Sequence, residues 1–98
     1  MKTHMIKNLY VKGLDEEIKY DQAFLRVHKV VDNIHWNIDI DRVNQISIFR
    51  DAIRSGKQLE VIFDANYQKE LDGTAKVVKI IDDSVVLKGL LGLEKYNS

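Results

Sequence analysis

The stretch from Asp41 to Asp64 decides the fold, and it reads DRVNQISIFRDAIRSGKQLEVIFD. Its apolar residues recur at helical spacing, which places four of them on one face: Val43, Ile46, Phe49 and Ile53. Asp41 offers a side-chain oxygen suited to an N-cap, and Gly56 stands where a left-handed residue often ends a helix. Alternating apolar residues then predict a strand, at Leu59, Val61 and Phe63. The stretch therefore predicts a capped helix, a glycine stop and a buried strand.

The composition is that of one small folded domain, which we expect to span residues 1–98. The chain is 45% hydrophobic and 31% charged, as globular proteins are. No apolar run approaches the roughly 18 residues of a membrane span, and the N-terminus lacks a signal-peptide pattern. The chain has no cysteine, which excludes disulfides and thiol chemistry and favours a cytoplasmic location.

The charge balance argues against a broad surface for binding nucleic acids. Fifteen Lys and Arg residues are matched by fifteen Asp and Glu residues. Proteins that bind polyanions usually carry an excess of basic residues on one face, so the balance permits only a local basic patch. A net charge near zero also leaves self-association unopposed by repulsion, so a homo-oligomer is one expectation.

Two segments before the helix read as strands. Residues 4–12 hold Met5, Leu9 and Val11 on one parity and Ile6 and Tyr10 on the other, which predicts a first strand that ends at Gly13. Residues 34–41 alternate strictly, with four apolar residues on one face: Ile34, Trp36, Ile38 and Ile40. This alternation predicts an antiparallel sheet with one buried and one wet face, and it places Trp36 in the core.

Residues 15–31 permit two interpretations. As a helix, the segment has Asp15 as N-cap, an acidic first turn and a basic end, which suit the helix dipole, and we prefer this reading. As a strand, it forms a hairpin around Asp32-Asn33 in which Lys29 lies opposite Trp36. The β-branched valines of the segment favour the strand.

The C-terminal half predicts two further strands. Ala65-Asn66 marks a turn, a shift of parity predicts a bulge near Val78, and residues 82–84 and Gly89 mark later turns. Asp72-Gly73 is an alternative hairpin turn, and residues 94–98 read as a frayed tail. The predicted fold class is α+β: a small antiparallel, bent (SH3/Sm-like) sheet or partial barrel with one or two helices.

Residues 46–89 follow a recognisable order of elements. A helix with an Ala52-Ile53 step leads into the predicted strand from Leu59 to Phe63. A long bent strand with a glycine, an Asp82 turn and a last strand follow. This order resembles the first half of the Sm-type small barrels of YolD-like and WYL-like proteins. The resemblance implies a regulatory or accessory role in bacteria and their phages, not a reaction.

The resemblance does not extend to the RNA-binding motifs of the Sm family. Asp82 matches the first motif, but Ser84 and Val85 stand where that motif has an asparagine. The second motif, a basic turn between the last two strands, has no counterpart after Leu87. The resemblance therefore does not imply RNA binding in the Sm manner.

No pattern indicates a catalytic or metal site. The histidines, at positions 4, 28 and 35, have no metal-ligand spacing. Asp39 and Asp41 share a strand face and would suit a hard cation, but a wet strand face and an N-cap explain them better. No serine has a nucleophile signature, and no glycine-rich phosphate loop exists. We therefore expect no enzyme activity, cofactor or metal.

Four residues are the predicted binding site. Arg50, Arg54 and Lys57 follow helical spacing beside the apolar stripe, where they suit the helix dipole or contact phosphates or acidic side chains. Tyr67, beside the turn at Asn66, is the best candidate for an exposed aromatic contact.

The leading functional hypothesis is a small regulatory protein that acts by binding another protein and is of bacterial or phage origin. A nucleic-acid-binding module of Sm-like type is the first alternative. A further alternative is an oligomer that binds a small ligand between its protomers. No membrane partner is expected.

Overall fold

The computed structural model describes residues 2–66 and 68–96. The elements run in the order β1 (Lys2–Val11), β2 (Gln22–Val30), β3 (Asn33–Asp41), α1 (Ile46–Ser55), β4 (Gln58–Ala65), β5 (Leu71–Ile81) and β6 (Ser84–Gly92). The strands form a closed antiparallel barrel in the order β1-β2-β3-β6-β5-β4. The prediction of a small antiparallel sheet or barrel is thus confirmed, with one helix in the described part. The assignment of the barrel to the SH3/Sm-like type stays a prediction.

β1 closes the barrel by pairing with a different strand along each half. Lys2 to Met5 pair with β2, and Ile6 to Val11 pair with β4, with a register shift between Ile6 and Asn8. The coil segment of residues 12–21, between β1 and β2, covers the part of the β1 edge that does not pair with β2. In it the Ile18 amide donates to the Leu9 carbonyl at 2.8 Å, and the Tyr20 hydroxyl donates to the Ile6 carbonyl at 3.0 Å.

The predicted N-cap is wrong, because Asp41 is the last residue of β3. α1 begins at Ile46, with Gln45 in the N-cap position, and the Gln45 side chain does not cap it. The Gln45 side chain instead donates from Nε2 to the Glu17 carbonyl, and its Oε1 accepts from the Lys19 backbone amide, each at 2.9 Å. The side chain therefore ties the coil segment to the start of the helix.

α1 packs on the barrel through a face that differs from the predicted one at its end. Phe49 and Ala52 are buried, whereas Ile53 is 40% exposed, so the prediction that Ile53 belongs to the stripe is wrong. Gly56 adopts the left-handed conformation (φ 73°), which confirms it as the helix stop. β4 then buries the three predicted residues, Leu59, Val61 and Phe63.

The preference for a helix over residues 15–31 is wrong, since residues 22–30 form β2. β2 pairs with β3 without a register shift from Gln22↔Asp41 to Val30↔Asn33. The hairpin alternative also misplaces the turn, because Trp36 faces Val27 and Lys29 faces Ile34. The turn is Val31-Asp32, one residue earlier than predicted.

β5 and β6 form a long hairpin in which the predicted bulge is present. The register shifts between Val77 and Lys79, beside the predicted position. The turn at Asp82-Asp83 is confirmed, with Ser84 already in β6. The alternative turn at Asp72-Gly73 is wrong, since both residues lie inside β5, and Gly89 lies inside β6 and not in a turn.

Trp36 fills part of the barrel interior, as predicted. It is 3% exposed, and its ring centroid lies 6.2 Å from that of Phe63. A Cβ atom at Gly73 or Gly89 would overlap the Trp36 indole. Glycine is required at these two strand positions because the indole occupies the space of a side chain.

The segment after β6 packs against the barrel, so the prediction of a frayed tail is wrong for residues 94–96. Leu93 is buried, and its amide donates to the Asp72 carbonyl at 2.8 Å. The Tyr96 hydroxyl lies 2.9 Å from His4 Nε2 on β1. Asn97 and Ser98 lie outside the described residues.

Candidate functional site

The predicted basic residues are accessible but are not part of a larger basic site. Arg50 and Arg54 lie one turn apart on α1, Lys57 follows the glycine stop, and all three are exposed. None of the ion pairs found among residues 2–66 and 68–96 includes them. Tyr67, the fourth predicted residue, lies outside the described residues.

A concave surface lies on the outer face of the barrel, across β4 and β5. It consists of two adjoining clefts of about 410 and about 520 Å³. Both clefts are lined by Lys12, Glu60, Thr74 and Leu91. We call this surface the β4–β5 groove. Of the predicted residues, Lys57 lines its second cleft.

Strand register explains why these side chains share one face. Glu60 pairs with Thr74, and Thr74 pairs with Leu91, so the three form one row across β4, β5 and β6. The next row contains Ile62 opposite Asp72. On β4 and β5, the residues of these rows alternate with buried neighbours. Leu91 is exposed near the end of β6. Both rows therefore face outward.

The groove presents apolar side chains to solvent. Leu91 is 70% exposed and Ile62 is 41% exposed, while Leu14 lines the second cleft. The sequence interpretation missed Leu91, because the stretch from Gly89 read as a short apolar end of the chain. The signal that was available is the Leu90-Leu91 pair, since two consecutive strand residues cannot both face the core.

The charges along the groove are unevenly distributed. Lys12 Nζ lies 3.2 Å from Glu60 Oε2, but both side chains are more than half exposed, so the pair contributes at most about 1 kcal/mol. Asp72 and Glu94 add two carboxylates to the first cleft, whereas Lys57 adds a cation to the second. The first cleft is therefore acidic.

The pKa values of Tyr20, Asp64 and His4 are shifted, and each shift has a structural explanation. Burial, helped by the charge of Glu17, raises the pKa of Tyr20 to about 12. The Asn8 side chain, followed by the Glu70 amide, donates to Asp64 and lowers its pKa. Burial, with a smaller effect of Lys2, lowers the pKa of His4. None of the three groups lines the groove.

The carboxylates considered as a cation site have other contacts. Asp39 Oδ2 lies 2.7 Å from Arg26 Nε, and Asp41 Oδ1 accepts from the Ser84 hydroxyl at 3.4 Å. Within the described ranges, no group of three or more His, Cys, Asp or Glu side chains is arranged to hold a metal ion. No helix in those ranges has the length and apolar character needed to cross a bilayer.

Comparisons with known proteins add no assignment. No family model matches the chain, and neither the curated proteins nor the solved structures include a significant match. The resemblance to YolD-like and WYL-like small barrels therefore stays a prediction.

Proposed function

We propose that this protein is a non-enzymatic binding module whose β4–β5 groove holds a segment of a partner protein. The exposed Leu91 side chain, set beside the acidic first cleft, is the observation that carries the proposal. The partner segment has an apolar residue flanked by Lys or Arg.

The apolar part of the argument rests on the free energy of burial. Covering a leucine side chain completely contributes about 1.5–3 kcal/mol, and Leu91 retains most of that potential. Ile62 extends the apolar surface across the groove. Apolar side chains gathered around a cleft on an otherwise polar face are typical of interaction sites.

The charges favour a protein over a nucleic acid at this groove. The first cleft has three carboxylates, on Glu60, Asp72 and Glu94, against the single cation of Lys12. Phosphates would be repelled there, because binding to nucleic acids depends on an excess of basic groups. A segment with Lys or Arg beside its apolar residue would be complementary to this cleft.

Selection from a displayed random-peptide library, followed by affinity measurement on the selected peptides, tests the proposal. We expect selected peptides to combine apolar and basic residues. Leu91→Ala should weaken their binding about ten-fold. Asp72→Asn should weaken binding and reduce its salt dependence. The matched control is Ile81→Ala, since Ile81 is 56% exposed but lies outside the groove. Equal binding by Leu91→Ala and Ile81→Ala would contradict the proposal.

A second candidate function, nucleic-acid binding, is favoured by one pair of residues. Lys76 and Lys88 lie directly opposite each other on β5 and β6, and both are exposed. Like charges in this arrangement are destabilising, so an anionic partner is a natural reason for the pair. Asn37 and Gln58 flank the two lysines in the same row.

Fluorescence anisotropy with a labelled single-stranded RNA at low salt tests this second candidate. Binding should fall steeply with added salt and should be lost in the Lys76→Gln, Lys88→Gln double variant. Leu91→Ala should bind as the parent does. Undetectable RNA binding at low salt would eliminate this candidate.

A further inference from the structure

We propose that His28 and His35 form a two-histidine site that chelates one divalent transition metal ion on the outer face of the β2–β3 hairpin. The two residues are direct partners in the antiparallel register. Side chains at such positions have Cβ atoms about 4.5–5.5 Å apart. The two imidazoles, although seven residues apart in the chain, therefore stand side by side.

Both imidazoles point away from the core. Val27 and Trp36, their neighbours along each strand, are buried, whereas His28 and His35 are exposed. Successive side chains of a strand lie on opposite faces, so the two histidines share the outer face. β2 and β3 pair without a register shift, so the alternation of inward and outward side chains is regular along the hairpin.

The site is open to solvent. His28 and His35 are both exposed, so a hydrated ion has free access to the pair.

The spacing suits metal coordination. Two imidazole nitrogens that each lie about 2.1 Å from an ion are about 3.0 Å apart in adjacent octahedral positions and about 3.4 Å apart in a tetrahedral site. Imidazoles on opposite strand residues reach these separations by rotating about their side-chain bonds. Because the hairpin holds both residues in register, little backbone freedom is lost when the ion binds.

The residues around the pair are compatible with a cation. Asn33 and Asn37 are the exposed neighbours on the same face of β3 and carry amide oxygens. Arg26, the basic neighbour on that face of β2, is paired with Asp39 at 2.7 Å, which offsets its charge. Neutral imidazole is a common ligand for Zn²⁺, Ni²⁺ and Cu²⁺, and water completes the coordination.

Two protein ligands give an exchangeable site, because water occupies the remaining coordination positions of the ion. Affinity should follow the general order for nitrogen ligands, with Cu²⁺ bound more tightly than Ni²⁺ or Zn²⁺ and Mn²⁺ bound weakly. The proposal is independent of the β4–β5 groove, whose lining includes neither histidine.

Isothermal titration of the protein with NiCl₂, ZnCl₂ and CuCl₂ tests the proposal. We expect one ion per chain, and His28→Ala and His35→Ala should each weaken binding about ten-fold or more. Zn²⁺ should also raise the thermal unfolding midpoint of the parent protein but not that of either variant. Both positions are exposed, so the variants should unfold like the parent in metal-free buffer.

The third histidine provides the matched control. His4 lies on β1 beside Tyr96, away from the hairpin face, so His4→Gln should bind metal like the parent. Three results would overturn the proposal: no saturable binding at about 1 mM ion, unchanged affinity in either hairpin variant, or half an ion per chain with a doubled mass. The last result would mean that two chains share the ion.

Discussion

At the scale of single residues, two glycines are required for packing and not for turns. Gly73 and Gly89 have the sequence context of turns, yet both lie inside strands. Their missing side chains leave the space that the Trp36 indole occupies. The reason is visible only in three dimensions, because the tryptophan lies on a different strand from either glycine.

A side chain at position 89 should therefore destabilise the protein. Gly89→Ala should lower the free energy of unfolding by about 2–3 kcal/mol, because the new methyl group overlaps the Trp36 indole. Urea denaturation measures the change. In a Trp36→Leu background the same substitution should cost less, since the smaller side chain leaves room. An equal cost in both backgrounds would show that the indole is not the cause.

At the scale of elements, β2 shows how tertiary pairing overrides a local signal. The acidic start and basic end of residues 15–31 suit a helix dipole, but β2 pairs with β3 along its whole length and with the first half of β1. Those ladders satisfy backbone groups on both sides of the strand. The valines of the segment agree with this outcome, since β-branched residues favour strands.

The partial burial of His4 on β1 should make stability depend on pH. The pKa of His4 is lowered from its ordinary 6.5, chiefly by burial, so the folded protein favours the neutral imidazole. The unfolded chain binds the proton more readily. The contribution of His4 to the free energy of unfolding should therefore be constant above about pH 6.5 and fall as the pH drops below it.

Urea denaturation at a series of pH values between neutral and mildly acidic measures this dependence. The variant His4→Asn, which does not titrate, should lose the part of the slope that His4 causes. The lowered pKa of Asp64 acts in a separate window, because its stabilisation is lost only as the pH falls below about 3.8. A slope that is identical in His4→Asn would contradict the assignment to His4.

At the scale of the whole molecule, closure of the barrel depends on contacts between distant parts of the chain. β1 completes the barrel by pairing with β4, so that Ile6 faces Ala65. Chains dominated by such pairings fold more slowly than helical proteins of the same size. The chain has no proline, which removes the usual cause of slower phases.

Refolding should accordingly occur in milliseconds to seconds, without a phase of tens of seconds. Stopped-flow fluorescence of Trp36, the single tryptophan, follows the reaction directly because the indole becomes buried. A double-jump experiment, in which the unfolded chain is aged before refolding, should leave the amplitudes unchanged. A slow phase that grows with ageing would contradict the expectation.

The sequence by itself determined the features that depend on neighbouring residues. Gly56 ends α1 because a left-handed residue is needed there, and the strict alternation of β3 and β4 buries the expected faces. The bulge near Val78 was likewise visible as a shift of parity. Local patterns also located the exposed basic residues of α1.

Only the tertiary structure decided the strand order, the split pairing of β1, the role of the glycines and the position of the groove. Each depends on residues far apart in the chain, as Thr74 and Leu91 show by meeting across the β5–β6 hairpin. Local propensity carries no information about which distant strand will form hydrogen bonds with the unpaired edge of a given strand. Asp41, whose chemistry suits an N-cap, thus ends a strand because barrel pairing continues to that residue.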